Sequence, residues 1–114
     1  MKIRRGHVYV VDFNPRVRTK PGKIRPAIVI QSDALNEADY PSAIVVPTTT
    51  KLADTATPLR LRLPAETAGL ERDSDALIAQ LIAVANESFR KELGVLPAAL
   101  MELLEAKLRM VLAF

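Results

Sequence analysis

Four short apolar runs, each bounded by proline or glycine, follow one another through the first 63 residues and restrict the chain to a fold of short strands. Residues 6–13, 25–31 and 42–47 are rich in β-branched or aromatic types, and residues 59–63 alternate between leucine and arginine, as in a half-buried strand. Residues 97–112 begin with proline and space their leucines by three or four positions, which predicts a helix. The residues therefore predict a mainly β (α+β) fold, a barrel-like sheet with a C-terminal helix.

Residues 75–85 fit two structures. Their alanines and leucines favour a helix, whereas their nearly continuous apolar run also fits a buried strand. Propensity alone favours the helix, and from these residues the two alternatives stay open.

The length of 114 residues predicts one domain over 1–114. The absence of cysteine excludes disulfides, thiolate nucleophiles and cysteine-ligated zinc, and it favours a reducing compartment. No segment has the length and apolarity of a membrane span. We therefore expect a cytoplasmic protein with no contact to a membrane.

The basic residues are concentrated near the N-terminus. Residues 1–25 hold eight lysines and arginines against Asp12 alone, a net charge of +7, while the other 89 residues carry eight bases and twelve acids, a net charge of −4. A basic segment on an otherwise acidic chain indicates a localised site for a polyanion. The alternative is a solvated basic loop that binds nothing.

Few residues suit acid–base or metal chemistry. His7 is the single histidine, so a paired-imidazole mechanism within one chain is excluded, and its place at the start of a strand is typical of a surface residue. Asp33, Glu37 and Asp39 lie in a polar connection without a phosphate-binding loop or paired histidines, and we interpret them as solvated loop acids. The sequence predicts neither a metal nor a cofactor.

Two positions are better placed for chemistry on a phosphate. Arg25 stands where the basic loop meets a buried strand, which would aim its planar guanidinium at a phosphate held over the loop. Thr48, Thr49 and Thr50 follow the third strand, so their hydroxyls emerge at a strand end, where sites are often built. A freely solvated arginine and a threonine-rich turn are the alternatives.

Three segments carry a further pattern: Gly6-x-Val8-Tyr9-x-Val11-Asp12-x-x-Pro15, Arg25-Pro26-Ala27-x-Val29-x-Gln31-x-Asp33-x-x-Asn36 and Val45-Val46-Pro47-x-Thr49-Thr50. With Glu71-Arg72-Asp73-Ser74 ahead of a strand that contains Gln80, their order and spacing resemble the MazF/PemK toxins of type II toxin–antitoxin systems. The resemblance runs from about residue 5 to the C-terminus.

This resemblance implies an SH3-like β-barrel of about five to seven strands with a C-terminal helix at about residues 97–112, and it implies that residues 75–85 form a strand. It further implies a homodimer that a cognate antitoxin protein neutralises. The implied activity is sequence-specific, metal-independent cleavage of single-stranded RNA such as mRNA. A ribose 2′-hydroxyl attacks the adjacent phosphorus, which leaves a 2′,3′-cyclic phosphate and a 5′-hydroxyl.

The resemblance also implies roles for individual residues. Arg25 and Thr49 match the family's catalytic pair, in which a guanidinium neutralises the phosphorane and a hydroxyl holds a phosphate oxygen. The residues expected to bind RNA are Arg16, Arg18, Thr19, Lys20, Lys23, Thr48 and Gln80.

The sequence departs from the family pattern at three positions. Lys20 and Ala79 stand where some members have carboxylates that are candidate general bases, and Ile82 stands where an arginine is frequent. A catalytically weak RNA-binding relative is therefore one alternative. A gyrase poison of the CcdB type is another, although such toxins depend on a C-terminal tryptophan and this chain, which has none, ends Leu112-Ala113-Phe114.

Overall fold

Short antiparallel strands and a final helix make up most of the structure, a computed structural model that describes residues 1–13, 23–55 and 59–114. In chain order the elements are β1 (His7–Asp12), β2 (Ile24–Val29), α1 (Asp33–Glu37), β3 (Ser42–Thr49), β4 (Arg60–Leu63), β5 (Ser74–Leu77), β6 (Ile82–Ala85), β7 (Phe89–Val95) and α2 (Ala98–Leu112). Pro97 is the N-cap of α2, so the helix begins one residue after the start that the sequence predicts. The mainly β fold with a C-terminal helix is confirmed.

The strands form one antiparallel sheet in the order β4-β5-β3-β2-β1-β7, with β6 also paired to β3. Within the described ranges the outer strands β4 and β7 do not pair with each other, so the sheet is open. The four strands expected from residues 6–13, 25–31, 42–47 and 59–63 correspond to β1 through β4. Helix α1 and strand β7 were not expected from the sequence.

Residues 75–85 form strands rather than a helix, but not one continuous strand. β5 pairs with the end of β3 and β6 pairs with its beginning, and a 3-10 turn at Ile78–Gln80 separates them. The turn buries Ile78 in the core beneath α2 and leaves Gln80 exposed outside either strand. The expectation of a strand containing Gln80 is therefore wrong. The segment from β5 to β6 has more residues than the part of β3 with which it pairs, and the turn takes up the extra residues.

Both faces of the central strands are buried. Val8, Ile28 and Val46 are aligned across β1, β2 and β3 and contribute to a core that Leu104 and Leu108 of α2 help to form. The opposite face belongs to a second core, whose members are Tyr9, Val11, Ala27, Val29, Ala43, Val45, Val84 and Phe89. Each fully buried leucine or valine stabilises the fold by about 2 kcal/mol. The central strands are therefore a rigid support for groups at their ends.

The polar connection after β2 has a structural role. The carboxylate of Asp33 accepts a hydrogen bond from the backbone N–H of Arg5 at 2.8 Å, and Ser32 caps α1. The side chains of Glu37 and Asp39 are exposed, as expected for solvated acids.

Among the described residues, no helix is both long and apolar enough to cross a membrane.

Candidate active site

A cavity of about 410 Å³ opens where β2 begins and β3 ends. Val10, Pro26 and Thr48 line it on three adjacent strands, one step beyond the buried row of Val8, Ile28 and Val46. The other lining residues are Arg25, Thr49, Thr50, Gly69, Leu70, Glu71, Arg72, Ser74, Lys91 and Leu93. Both candidate catalytic residues, Arg25 and Thr49, thus face the same space.

Arg25 is held by its strand. It lies opposite Val11 of β1 in the β1–β2 hairpin and is partly buried. Its Nη1 atom donates to the backbone carbonyl of Thr48 at 3.4 Å, which is a long contact. No ion pair among the described residues involves Arg25. Its charge is therefore not neutralised by an acid in the described part of the chain.

The two threonines at the end of β3 have different surroundings. The Thr48 side chain is buried and its hydroxyl donates to the carbonyl of Pro26 at 2.8 Å. Thr48 thus ties β3 to β2, and this placement limits its expected RNA contact to its backbone. The Thr49 hydroxyl accepts from the backbone N–H of Lys51 at 3.1 Å, which orients the oxygen and leaves the hydroxyl proton for a phosphate oxygen.

A buried carboxylate lies beside Thr49. Asp75 is opposite Thr49 in the β3–β5 pairing and is 1% exposed. Its Oδ1 accepts from Nε of Arg62 at 2.6 Å, and its Oδ2 accepts from Nη1 of Arg60 at 3.1 Å and from the N–H of Ala53 at 3.0 Å. Burial by itself raises the pKa of Asp75, but these hydrogen bonds outweigh it and the pKa lies below its ordinary value. The carboxylate is therefore ionised, and both of its oxygens accept hydrogen bonds within the protein.

The same arginines secure the residues that follow Thr49. Arg60 also donates to the carbonyl of Lys51 at 2.8 Å, and Nη2 of Arg62 binds Asp54 at 2.7 Å. We call the group Lys51, Ala53, Asp54, Arg60, Arg62 and Asp75 the Asp75 clamp. It connects β4, β5 and the segment that follows β3, and it thereby restricts the end of β3 at Thr49.

A close backbone contact forms the far wall of the cavity. A Cβ on Gly69 would lie 2.2 Å from the carbonyl oxygen of Leu93, and one on Gly94 would lie 2.7 Å from the backbone of Ala68. Gly69 also has φ +79°, a conformation that favours glycine. These two glycines let the segment before β5 pack on β7, which brings Arg72 and Lys91 to one cavity.

The other residues expected to bind RNA lie elsewhere. Arg16, Arg18, Thr19 and Lys20 fall outside the described residues. Lys23 is exposed, and its carbonyl accepts from the N–H of Phe13 at 2.9 Å. Residues 13 and 23 are therefore adjacent at the end of the β1–β2 pair. Gln80 does not line the cavity.

The comparisons with known proteins agree with this geometry. The family model of the PemK-like, MazF-like toxins of type II toxin–antitoxin systems matches residues 4–112. The chain belongs to this toxin family. The resemblance drawn from the sequence is confirmed.

Among the relatives of this toxin, Endoribonuclease MazF6 of Mycobacterium tuberculosis (strain ATCC 25618 / H37Rv) is 34% identical over 112 residues, 98% of each chain. Endoribonuclease EndoA of Bacillus subtilis (strain 168) is 31% identical over 113 residues, 99% of this chain and 97% of that one. The chain thus matches these relatives over nearly their full length.

Solved structures of the family share the fold. MazE-MazF (Form-II) from Deinococcus radiodurans superposes with a TM-score of 0.81 and 23% identity, covering 100% of this chain and 98% of that one. An endoribonuclease in complex with its cognate antitoxin from a mycobacterial species gives a TM-score of 0.79 and 17% identity, covering 96% and 94%. At these identities the likeness supports the fold alone.

Three charged lining residues of this toxin were not expected from the sequence, namely Glu71, Arg72 and Lys91. Glu71 and Arg72 stood in the motif that carries the family resemblance but had no assigned role. Lys91 lies on β7, the strand that the sequence did not predict. Of the carboxylates, histidines and cysteines in the described ranges, no three lie close enough together to hold a metal ion.

Proposed function

We propose that this toxin is a cytoplasmic endoribonuclease that cleaves single-stranded RNA, with Arg25 and Thr49 as its catalytic residues. The observation that carries the proposal is that Arg25, which has no acid partner among the described residues, and the oriented hydroxyl of Thr49 line one cavity. The name endoribonuclease borne by relatives at 34% and 31% identity supports it.

The proposed chemistry uses the RNA itself as nucleophile. The ribose 2′-hydroxyl loses its proton and attacks the adjacent phosphorus, and the bond to the 5′-oxygen of the next nucleotide breaks. The products are a 2′,3′-cyclic phosphate and a 5′-hydroxyl. The guanidinium of Arg25 stabilises the negative charge that grows on the phosphorane, while Thr49 donates to one of its oxygens. No step requires a metal ion, and DNA lacks the nucleophile.

The basic loop is proposed to supply affinity. Arg16, Arg18, Lys20 and Lys23 contact phosphates of the bound strand, with Thr19 and Gln80 as further RNA contacts. RNA binding therefore weakens as the salt concentration rises.

The toxin is proposed to act as a single domain over residues 1–114 and as a homodimer. The family match over residues 4–112 supports the first part, and exposed apolar side chains such as Ile24, Ile82, Met110 and Phe114 support the second. A cognate antitoxin with an acidic segment would cover the basic loop and the cavity and exclude RNA. The mycobacterial endoribonuclease of the same fold, solved in complex with its cognate antitoxin, supports this partner.

The deciding experiment is a cleavage assay with the purified toxin on single-stranded RNA in the presence of EDTA. We expect cleavage at short preferred sequences, products that end in 2′,3′-cyclic phosphate and 5′-hydroxyl groups, and no cleavage of DNA of the same sequence. RNA that is bound but not cut would instead identify a relative that has lost catalysis. Cleavage that EDTA abolishes would overturn the metal-independent mechanism.

A further inference from the structure

The charged residues of β7 point in different directions. Lys91 lies opposite Val10, and both line the cavity. Successive side chains of a strand point to opposite faces, and register shifts between Val8 and Tyr9 and between Val10 and Val11 add to this: Arg90 binds Asp12 at 3.1 Å, and Glu92 lies 3.2 Å from His7. Such irregularities in a strand commonly re-aim a side chain beside a site.

Lys91 has no ion-pair partner among the residues that the structure describes. Among the ion pairs of the described residues, none involves Lys91, Arg72 or Arg25, although all three line one cavity. Glu71 is the one acid among the described lining residues, so the lining carries a net charge of +2. Like charges that face the same space repel each other, and a bound anion relieves that repulsion.

The cavity has enough volume for more than one phosphate group. Its volume of about 410 Å³ lies within the range of sites that enclose a small ligand, so a nucleotide fits where the scissile phosphate reaches Arg25. Arg25 of β2 lies opposite Val11 and Lys91 of β7 lies opposite Val10, so adjacent residues of β1 separate the two basic residues in the sheet. When one phosphate of an RNA strand meets Arg25, we expect a neighbouring phosphate to come within reach of Lys91.

We propose that Lys91 binds the RNA phosphate next to the scissile one and acts as a positioning residue for the substrate. This inference rests on the proposed function, because it places Lys91 in the same RNA site as Arg25 and Thr49. An ammonium is a compact charge that suits a single phosphate oxygen. The contact is made equally in the ground state and the transition state, so its loss changes KM and leaves kcat nearly unchanged.

The test compares Lys91→Ala with Arg90→Ala, its neighbour of equal charge whose side chain is bound to Asp12. The first measurement is affinity for a mixed-sequence RNA with 2′-O-methyl groups throughout, which cannot be cut, at several salt concentrations. We expect Lys91→Ala to weaken binding about tenfold and to reduce the salt slope by about 0.7. Arg90→Ala should keep both values, and Lys91→Arg should restore them.

The second measurement uses RNAs shortened one nucleotide at a time on either side of the cleaved bond. The effect of Lys91→Ala on KM should vanish once the phosphate that Lys91 binds is removed, whereas a structural role would lower activity on every length. Thermal unfolding checks that the variants fold, which the exposed position of Lys91 favours.

The outcomes separate the two proposals. If wild type cuts RNA but Lys91→Ala binds with an unchanged salt slope, or if Arg90→Ala loses as much, the phosphate contact is overturned and the nuclease stands. If wild type does not cut RNA, but Lys91→Ala binds the uncleavable RNA more weakly while Arg90→Ala binds it as wild type does, the catalytic proposal fails and the phosphate site stands.

Discussion

Arginines lie in two adjacent regions of this toxin, and the regions differ in whether an acid accompanies them. On β4, Arg60 and Arg62 both bind the buried carboxylate of Asp75. In the cavity, Arg25 has no such partner among the described residues and reaches only the carbonyl of Thr48. A neutralised arginine stabilises the fold, whereas an arginine without an acid is available to an anionic substrate. Four experiments test this difference.

Replacement of Arg25 by alanine should have the largest effect. Loss of a preorganised charge on the phosphorane lowers the rate of RNA cleavage by about two to three orders of magnitude. Arg25→Lys should restore part of it, since an ammonium lacks the planar fork of a guanidinium. Stability should change little, because Arg25 has no ion pair to lose among the described residues. A folded Arg25→Ala toxin that cuts at the wild-type rate would contradict the catalytic assignment.

Replacement of Asp75 by alanine should instead have its main effect on stability. It leaves two guanidinium groups and the N–H of Ala53 without their acceptor, which costs about 2 to 4 kcal/mol of the free energy of unfolding. Denaturation by urea measures the change. The control is Asp54→Ala, whose carboxylate is 87% exposed and whose loss should cost at most about 1 kcal/mol. Equal costs for the two variants would show that burial of Asp75 contributes nothing.

Replacement of Thr49 by alanine should have a moderate effect on rate. It removes one neutral hydroxyl contact to the phosphate, so cleavage should slow by about tenfold, less than for Arg25→Ala. Thr50→Ala is the control, because Thr50 lines the same cavity at the next position. If the two variants cut RNA equally well, the hydroxyl of Thr49 is not a catalytic group.

The smallest effect is a dependence of stability on pH. The pKa of Asp75 in the folded protein lies below its ordinary value of 3.8, so its contribution to stability is complete above that value and is lost as the pH falls below it. The difference in unfolding free energy between wild type and Asp75→Asn should therefore shrink in that acidic range. Hydrogen bonds from the N–H of Arg5 and from Asn36 also lower the pKa of Asp33, but both proteins share this contribution. A difference that stays constant below pH about 3.8 would contradict the ionised clamp.

Local patterns in the sequence were enough for most of the fold. Runs of β-branched and aromatic residues placed β1 to β3, the alternation of leucine with arginine placed β4, and Pro97 with the spaced leucines placed α2, because these signals act between near neighbours in the chain. Their places at strand ends made Arg25 and the threonines after β3 candidates, and the family resemblance implied Arg25 and Thr49 as the catalytic pair, which stays a prediction.

Other features depended on residues distant in the sequence. The run Arg90-Lys91-Glu92 has no apolar period, so it did not predict a strand, and β7 forms because it pairs with β1 about 80 residues earlier. Asp75 lies at the start of an apolar run, and its burial is tolerated because Arg60 and Arg62 on the adjacent strand neutralise it. That Arg60 and Arg62 are the partners of Asp75 could not be known before the register of β4 and β5 was established.

The sequence by itself determined the strands β1 to β4, the position of helix α2, the toxin family and which arginine lies near the start of β2. Tertiary structure decided which charges are neutralised and which face the cavity. The physical reason is that secondary structure follows from backbone preferences and apolar spacing over a few residues, whereas a charge is neutralised by whatever group packing brings within hydrogen-bonding distance. Packing at Gly69 and Gly94 brings Arg72 and Lys91 to one cavity, and the strand register places Arg62 opposite Asp75.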